Sequence, residues 1–369
     1  MSKVLIFSDV HCHPHGINAG KSYRKLEDCL KALDWVFETA RSRNIKNILF
    51  GGDLFHDRQK IDVYTYQAVF KAFAHNLITV DSPTVHLLLG NHDLWKYEKT
   101  DVTSVYPLSQ LQKIKMISEP STTDIDGYQV SWLPYTHDPE KDILTIKNDA
   151  KKKILIGHVA IDGAFLNSMG SVSDVHVEHD GEMKKVAVDI FDDWDHVFLG
   201  HYHGAQRLSS TVEYIGSPLQ LSRGERDQEK HIIEFDMATG KKEYIVNTFS
   251  PKHIKISIDK LSTMSQADFT HHEIDIITDD VSSSKVVEAR QQLEDAGAGG
   301  VRFVCLEKDI TDQIKDIDAA KAILNTGMNM IEEYVKIANI KPVDDTVVKL
   351  DDSKLHQIGN EIISKSGMM

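Results

Sequence analysis

Hydrophobic positions change period in a regular way along this chain. Residues 3–8, KVLIFS, are almost uninterruptedly apolar, as in a strand covered on both faces. Leu26, Leu30, Leu33, Val36, Phe37 and Ala40 then recur at three- and four-residue steps and predict the buried face of a helix. Ile48 to Phe50 returns to a strand-like run, so the chain opens as strand, helix, strand. Helical spacing over 62–77 and apolar strands at 84–89, 128–133, 153–157 and 195–199 continue the alternation and predict an α/β fold. Residues 211–250 read as strands with turns, and Phe249-Ser250-Pro251 is the expected end of a first domain.

Beyond Pro251 the pattern changes. KHIKISID and HEIDIIT alternate like strands, SSKVVEARQQLEDAG has helical spacing and a terminal glycine, and GVRFVCLE is again a strand. Together they predict a small β-β-α-β unit. The final residues carry two helical stripes, Ile331, Tyr334, Val335 and Ala338, then Leu355, Ile358, Ile362 and Ile363, separated by KPVDD. The expected domains are therefore residues 1–250, 251–315 and 316–369.

Composition narrows the class. The 369 residues are 41% hydrophobic and 27% charged, enough for a large core. No apolar run approaches the ~20 residues of a membrane span, and MSKVLIFSD is too short an apolar stretch for a secretory signal. A cytoplasmic protein is expected, in the host cytoplasm if the source is viral. Cys12, Cys29 and Cys305 are far apart and suggest neither a disulfide framework nor a paired-cysteine metal site. The net charge is −14, with no basic excess on either side of residue 250. Attraction for a phosphate-bearing substrate must then come from bound cations, a locally assembled patch or a partner chain.

The ends of the strands carry the chemistry. The first runs into SDVHCH, with Asp9 and His11; the second into GGDLFHD, with Asp53 and His56; the third into GNHD, with Asn91 and His92. Later strands reach Gly157-His158 and GHYH, with His201 and His203. In open α/β sheets, loops at the carboxyl ends of strands converge on one crevice, so five such deliveries point to one site. Imidazole, carboxylate and amide oxygen together suit a transition-metal ion. If the last pair stayed extended, His201 and His203 would project to one side and toward one ligand.

The set DxH, GDxxH, GNHD, GH and GHxH resembles the signature of the calcineurin-like metallophosphoesterases over roughly residues 1–250. That resemblance implies a four-layer αββα sandwich of two mixed sheets with the site on their carboxyl edge. It also implies two metal ions, one held by Asp9, His11, Asp53 and His203, the other by Asp53, Asn91, His158 and His201. Such ions activate a water molecule for attack on phosphorus. Manganese is expected, with iron, magnesium and zinc as alternatives. His92 would contact the scissile phosphate and protonate the leaving oxygen.

His56 stands where the protein phosphatases of this family carry an aspartate, and it is counted with His92 as catalytic. With YIGSPLQLSRGE, residues 214–225, it makes the chain resemble the SbcD-like DNA repair and recombination nucleases, including their bacteriophage counterparts. That resemblance implies exonuclease and endonuclease action on DNA and a homodimer. It also implies a capping domain, with C-terminal helices that dock on an SMC-like, SbcC-type ATPase. A free-standing phosphatase or phosphodiesterase on the same residues is the alternative. HGINAGKS, residues 15–22, is not a nucleotide-binding loop, because only three residues separate Gly16 from Gly20 where GxxxxGK[ST] requires four. His13 and His15 are expected to be loop residues.

Overall fold

Apolar strands alternate with a few helices to build, among the described residues, two six-stranded sheets, a three-stranded sheet and two two-stranded hairpins. The computed structural model describes residues 2–14, 23–96, 99–166, 171, 173, 176–179, 182–279 and 284–305. In chain order the elements are β1 (Lys3–Phe7), α1 (Arg24–Ser42), β2 (Asn47–Phe50), α2 (Val63–Asn76), β3 (Thr84–Leu88), β4 (Leu94–Lys96), β5 (Lys99–Thr103) and β6 (Ile114–Ile117). There follow β7 (Ser121–Ile125), β8 (Tyr128–Leu133), α3 (Pro139–Ile143), β9 (Ile154–His158), β10 (His176–His179), β11 (Glu182–Lys185) and β12 (His196–Gly200). The described chain ends with β13 (Gln206–Arg207), β14 (Val212–Tyr214), β15 (His231–Asp236), β16 (Lys241–Val246), β17 (His253–Ser257), β18 (Glu273–Thr278), α4 (Ser284–Asp295) and β19 (Gly300–Cys305).

The first sheet has the order β16-β15-β1-β2-β3-β6 and the second β13-β14-β12-β9-β8-β7. The centre of each is parallel: β1, β2, β3 and β6 in one, β8, β9, β12 and β14 in the other. Antiparallel strands close the edges, β15 and β16 on the first sheet, β13 and β7 on the second. Both are therefore mixed sheets, as the family resemblance implies.

Period-two alternation divides each strand between two cores. In β1, Leu5 and Phe7 face the layer of α1 and α2, with Leu33, Phe37 and Phe73, while Val4 and Ile6 face the second sheet. Trp132, Ile154, Ile156 and Phe198 answer them from that sheet. The outer face of the second sheet, Leu133, Leu155, Val197 and Leu199, is covered by Ile143, Phe191 and Trp194. This fourth layer is thin: α3 has five residues and Val188–Phe191 is a single 3-10 turn.

The third sheet, β17-β18-β19, has its own core of Leu261, Phe269, Ile274, Ile276, Ala289 and Leu293. Its order, strand, strand, helix, strand, is the one that the alternation after Pro251 predicts. β17 and β18 are parallel, joined by two 3-10 turns over Ile258–Thr263 and Gln266–Asp268. The two helical stripes expected within 316–369 and the segment 15–22 lie outside the described residues. No helix among the described residues is long and apolar enough to cross a membrane.

Trp132 ties the sheets together, fully buried and stacked on His86 of β3 with ring centroids 5.7 Å apart. Trp132→Ala is expected to cost about 3–5 kcal/mol through transfer and cavity terms. Urea denaturation checks it; a midpoint within error of wild type would show that the two sheets do not depend on this contact.

Candidate metal centre

Every residue expected at the site arrives from the carboxyl end of a parallel strand. Asp9 and His11 follow β1, Asp53 and His56 follow β2, Asn91 and His92 follow β3, His158 ends β9, and His201 and His203 follow β12. The loops are held by backbone bonds as well: Asp9 N donates to Gly52 O at 2.9 Å and His11 N to Asp53 O at 3.1 Å. Among the described residues eight non-glycine positions have positive φ, and Asp9, His11, Asp53 and His201 are half of them. Each such conformation costs on the order of 1–3 kcal/mol. Strain concentrated on these side chains marks a site whose geometry is imposed by its surroundings.

Two glycines make the approach possible. A Cβ on Gly90 would lie 2.2 Å from Asp53 Oδ1, and one on Gly200 would lie 2.3 Å from Ser8 Oγ and 2.8 Å from His158 Nδ1. No side chain fits at either place, which is why glycine precedes the donor residues in GNHD and GHYH.

Three groups of donor atoms result among the described residues. In one, Asp9, His11 and His203 converge; in a second, Asp53, His158 and His201; the third, His11, His56 and His92, shares His11 with the first and reaches the exposed His56. Asp53 joins the first two, its Oδ2 lying 3.4 Å from His11 Nε2 and 3.4 Å from His158 Nε2. Asn91 Oδ1 completes the second group at 3.1 Å from His158 Nε2 and 2.9 Å from His201 Nδ1, with the Asn91 amide 3.3 Å from Asp53 Oδ2. Ligands about 2.0–2.2 Å from a shared ion are separated by ~3–3.4 Å, so these spacings fit a coordination shell.

The orientation of the lone pairs tests the fit further. His158 Nδ1 faces Gly51 O at 2.7 Å and must donate there, which leaves Nε2 as a bare lone pair. Asn91 Oδ1 thus faces a carboxylate and two ring nitrogens, all acceptors unless protonated. Turning the amide over would let its NH2 donate to the same three atoms. A cation makes the turn unnecessary, because oxygen is then the correct atom to present. His11 Nε2 and His203 Nε2, 3.1 Å apart, pose the same problem and accept the same solution.

Electrostatics agree. Burial raises the Asp9 carboxyl, His158 opposes that, and neighbouring Asp53 raises it again. Asp53 is also pushed up by burial, yet His158 and His11 outweigh this and hold it below the usual carboxylate range. His158 would lose its proton through burial alone, but Asp53 and Asp9 push it up to about 9. Burial and His158 bring His201 down to about 3, and burial also lowers His11. Two buried carboxylates thus demand positive charge, and without an ion a proton on His158 supplies it.

His201 and His203 do not share one spot. The positive φ of His201 interrupts the extended geometry just after β12, and its ring turns to Asn91 while His203 meets His11. The pair divides between the two groups, and the simple strand expectation fails because a left-handed residue intervenes.

His92 lies beside the centre. Its backbone N–H donates to Asp53 Oδ1 at 2.7 Å, and its Nδ1 meets the backbone carbonyl of His56 at 2.5 Å, so Nε2 remains for other chemistry. The orienting group is therefore the main chain of His56. The exposed His56 ring stacks on His92, centroids 5.7 Å apart, and meets the tilted ring of His13 at 4.8 Å.

Two carboxylates to which the motifs give no role complete the arrangement. Buried Asp93 accepts from Asp53 N at 2.8 Å, Gly90 N at 2.9 Å and Leu54 N at 3.0 Å, locking the second and third loops together. Glu225 accepts from His203 Nδ1 at 3.1 Å. Asp93 directly follows His92 in GNHD, but the motif gave no sign of its role. Glu225 stands 22 residues from its partner and has no local signal.

Comparison with known proteins agrees with this geometry. The model of the calcineurin-like phosphoesterase family matches residues 2–205. The chain is 24% identical over 340 residues to exonuclease subunit 1 of Enterobacteria phage T4, covering 90% of this chain and 92% of that protein. It is 24% identical over 255 residues to the SbcD subunit of nuclease SbcCD from Escherichia coli K12, covering 59% of this chain and 62% of that protein.

Metal removal provides a direct check. Manganese added to chelator-treated protein at a hundredfold excess over Kd is expected to stabilise the fold by about 2.7 kcal/mol for each site filled. Asp53→Asn and Gly90→Ala should abolish the gain. Thermal melts with and without manganese read it, and an equal rise in Asp53→Asn would place the ion elsewhere.

Proposed function

The chain belongs to the calcineurin-like phosphoesterases, hydrolases that work with divalent metal ions, and on that premise we propose that it is the nuclease subunit of a DNA repair or recombination complex. The observation that carries this reading is the convergence of seven side chains from five strand ends on one centre, with Asp53 between two donor groups. Likeness along 92% of a phage exonuclease subunit supports DNA as the substrate over a small phosphoester.

In this reading Asp9, His11, Asp53 and His203 hold one ion and Asp53, Asn91, His158 and His201 the other, manganese in the first instance. When bound, the ions supply an activated water and neutralise charge on the phosphate. The protein does the rest. His158 and His203 keep their Nε2 lone pairs inward because Gly51 O and Glu225 take the protons on Nδ1. The His56 carbonyl fixes His92 through Nδ1 and leaves its Nε2 to give a proton to the ester oxygen as the phosphorus–oxygen bond breaks. The His56 ring, exposed beside it, is assigned to the substrate side.

Both relatives are by name parts of something larger, one being exonuclease subunit 1 and the other a subunit of SbcCD. A partner ATPase of the SbcC kind is proposed for this chain too, docked on 316–369, with 251–315 as a cap over the DNA path and the catalytic domain as a homodimer. The acidic net charge of −14 accords with DNA attraction supplied by metals and partner rather than by this chain alone.

Purified protein with manganese is to be given labelled linear DNA and, separately, bis-p-nitrophenyl phosphate. Wild type should degrade the DNA. His92→Ala should lose about 10²–10⁴-fold in rate while retaining metal, and Asp53→Ala should lose both. Hydrolysis of the small ester without DNA cleavage would replace this reading by a free-standing phosphodiesterase.

A further inference from the structure

Glu225 sits in a short turn that faces two ways. Inward, its Oε1 takes the Nδ1 proton of His203 at 3.1 Å and lies 3.0 Å from Ser222 Oγ. Its Oε2 accepts from Leu221 N at 3.1 Å and from Lys230 Nζ at 2.7 Å. Burial opposes the Glu225 charge, yet His203 and Lys230 hold the carboxyl below its usual range. Lys230 also donates to His203 O at 2.8 Å, so ring and main chain of this histidine are fixed by one buried ion pair.

Outward, the residues on either side of Gly224-Glu225 reach the third sheet. Arg223 Nε donates to Asp275 Oδ1 at 2.9 Å, and Arg226 Nη2 to Asp275 Oδ2 at 2.8 Å. Asp275 lies on β18, with its side chain 3% exposed, and Arg302 of β19 also binds both of its oxygens, at 3.0 and 2.8 Å. Three guanidinium groups therefore surround one buried carboxylate, and two of them belong to the turn that carries Glu225. Such an array is geometrically demanding: each turn arginine takes a different oxygen of Asp275, so the carboxylate holds both arginines, and the turn between them, in one register.

We propose that Asp275 is a positioning residue for His203, acting through Arg223, Arg226 and Glu225, so that attachment of the third sheet sets the metal affinity of the His203 side of the centre. The inference rests on the two-ion reading of that centre. It adds a direction of control: whatever pulls β18 from the turn loosens one ion and leaves the one bound by Asn91, His158 and His201. Outer partners of ligating histidines change metal affinity by about 10–100-fold when removed. A residue one link further out is expected to change it by about three- to thirtyfold.

Calorimetric titration of manganese into the full chain tests this, with circular dichroism and melting temperature as the check on folding. Wild type should bind two equivalents. Glu225→Gln should weaken one of them by about 10–100-fold, and Asp275→Asn should weaken the same one by about three- to thirtyfold. Because Asp275→Asn could disturb the third sheet, the double variant Arg223→Gln, Arg226→Gln serves as a second route; it leaves Asp275 paired with Arg302 and should show the same loss. Arg302→Gln, which removes a partner without touching the turn, should bind both equivalents as wild type does. Full affinity in the double variant, or an equal loss in Arg302→Gln, would overturn the proposal. Failure of wild type itself to bind two equivalents would instead remove the two-ion reading beneath it.

Discussion

Two carboxylates, Asp9 and Asp53, are buried together with almost no access to water, and the rest of the centre follows from that cost. An isolated buried carboxylate is too expensive to keep charged, and a second one beside it compounds the penalty. Four imidazoles and an amide surround the pair without supplying permanent positive charge. His158 can take a proton, but one proton does not answer two carboxylates and still leaves Asn91 Oδ1 facing His201 Nδ1 and Asp53 Oδ2. Divalent cations satisfy all of these groups at once. The family's dependence on such ions is here a requirement written into the buried side chains of this chain.

Around that requirement the fold spends its special features. Half of the described left-handed non-glycine residues are in these loops, Gly90 and Gly200 leave room where no Cβ fits, and Asp93 takes three backbone N–H groups to join two loops. Each feature would be destabilising elsewhere. They persist because two six-stranded sheets, with Trp132, Phe198 and Phe235 between them, give a rigid edge from which the loops project. The parallel centre of each sheet aims all the relevant strand ends the same way.

Much of this was legible in the sequence, and for identifiable reasons. The run KVLIFS and the spacing from Leu26 to Ala40 each encode an element through local periodicity alone, and both elements form within a residue or two of expectation. The donor residues were legible because each directly follows a strand. What escaped has no local signature. The thinness of the outer layer on the second sheet could not be read, since Phe191 at the end of a 3-10 turn and Trp194 just after it do there what a helix does on the first. The separation of His201 from His203 depends on one backbone angle. The role of the His56 carbonyl is invisible because every residue has a carbonyl. Glu225 and Asp275 act across long sequence separations, and only folding brings them to the turn.

The central claim is that the donor atoms around Asp53 form two adjacent ion sites. Anomalous diffraction at the manganese edge, from crystals grown with that metal, tests it most directly. Two peaks ~3.5–4 Å apart on either side of the Asp53 carboxylate are expected, one near Asp9, His11 and His203 and one near Asn91, His158 and His201. A single peak, or none within reach of Asp53, would contradict the account.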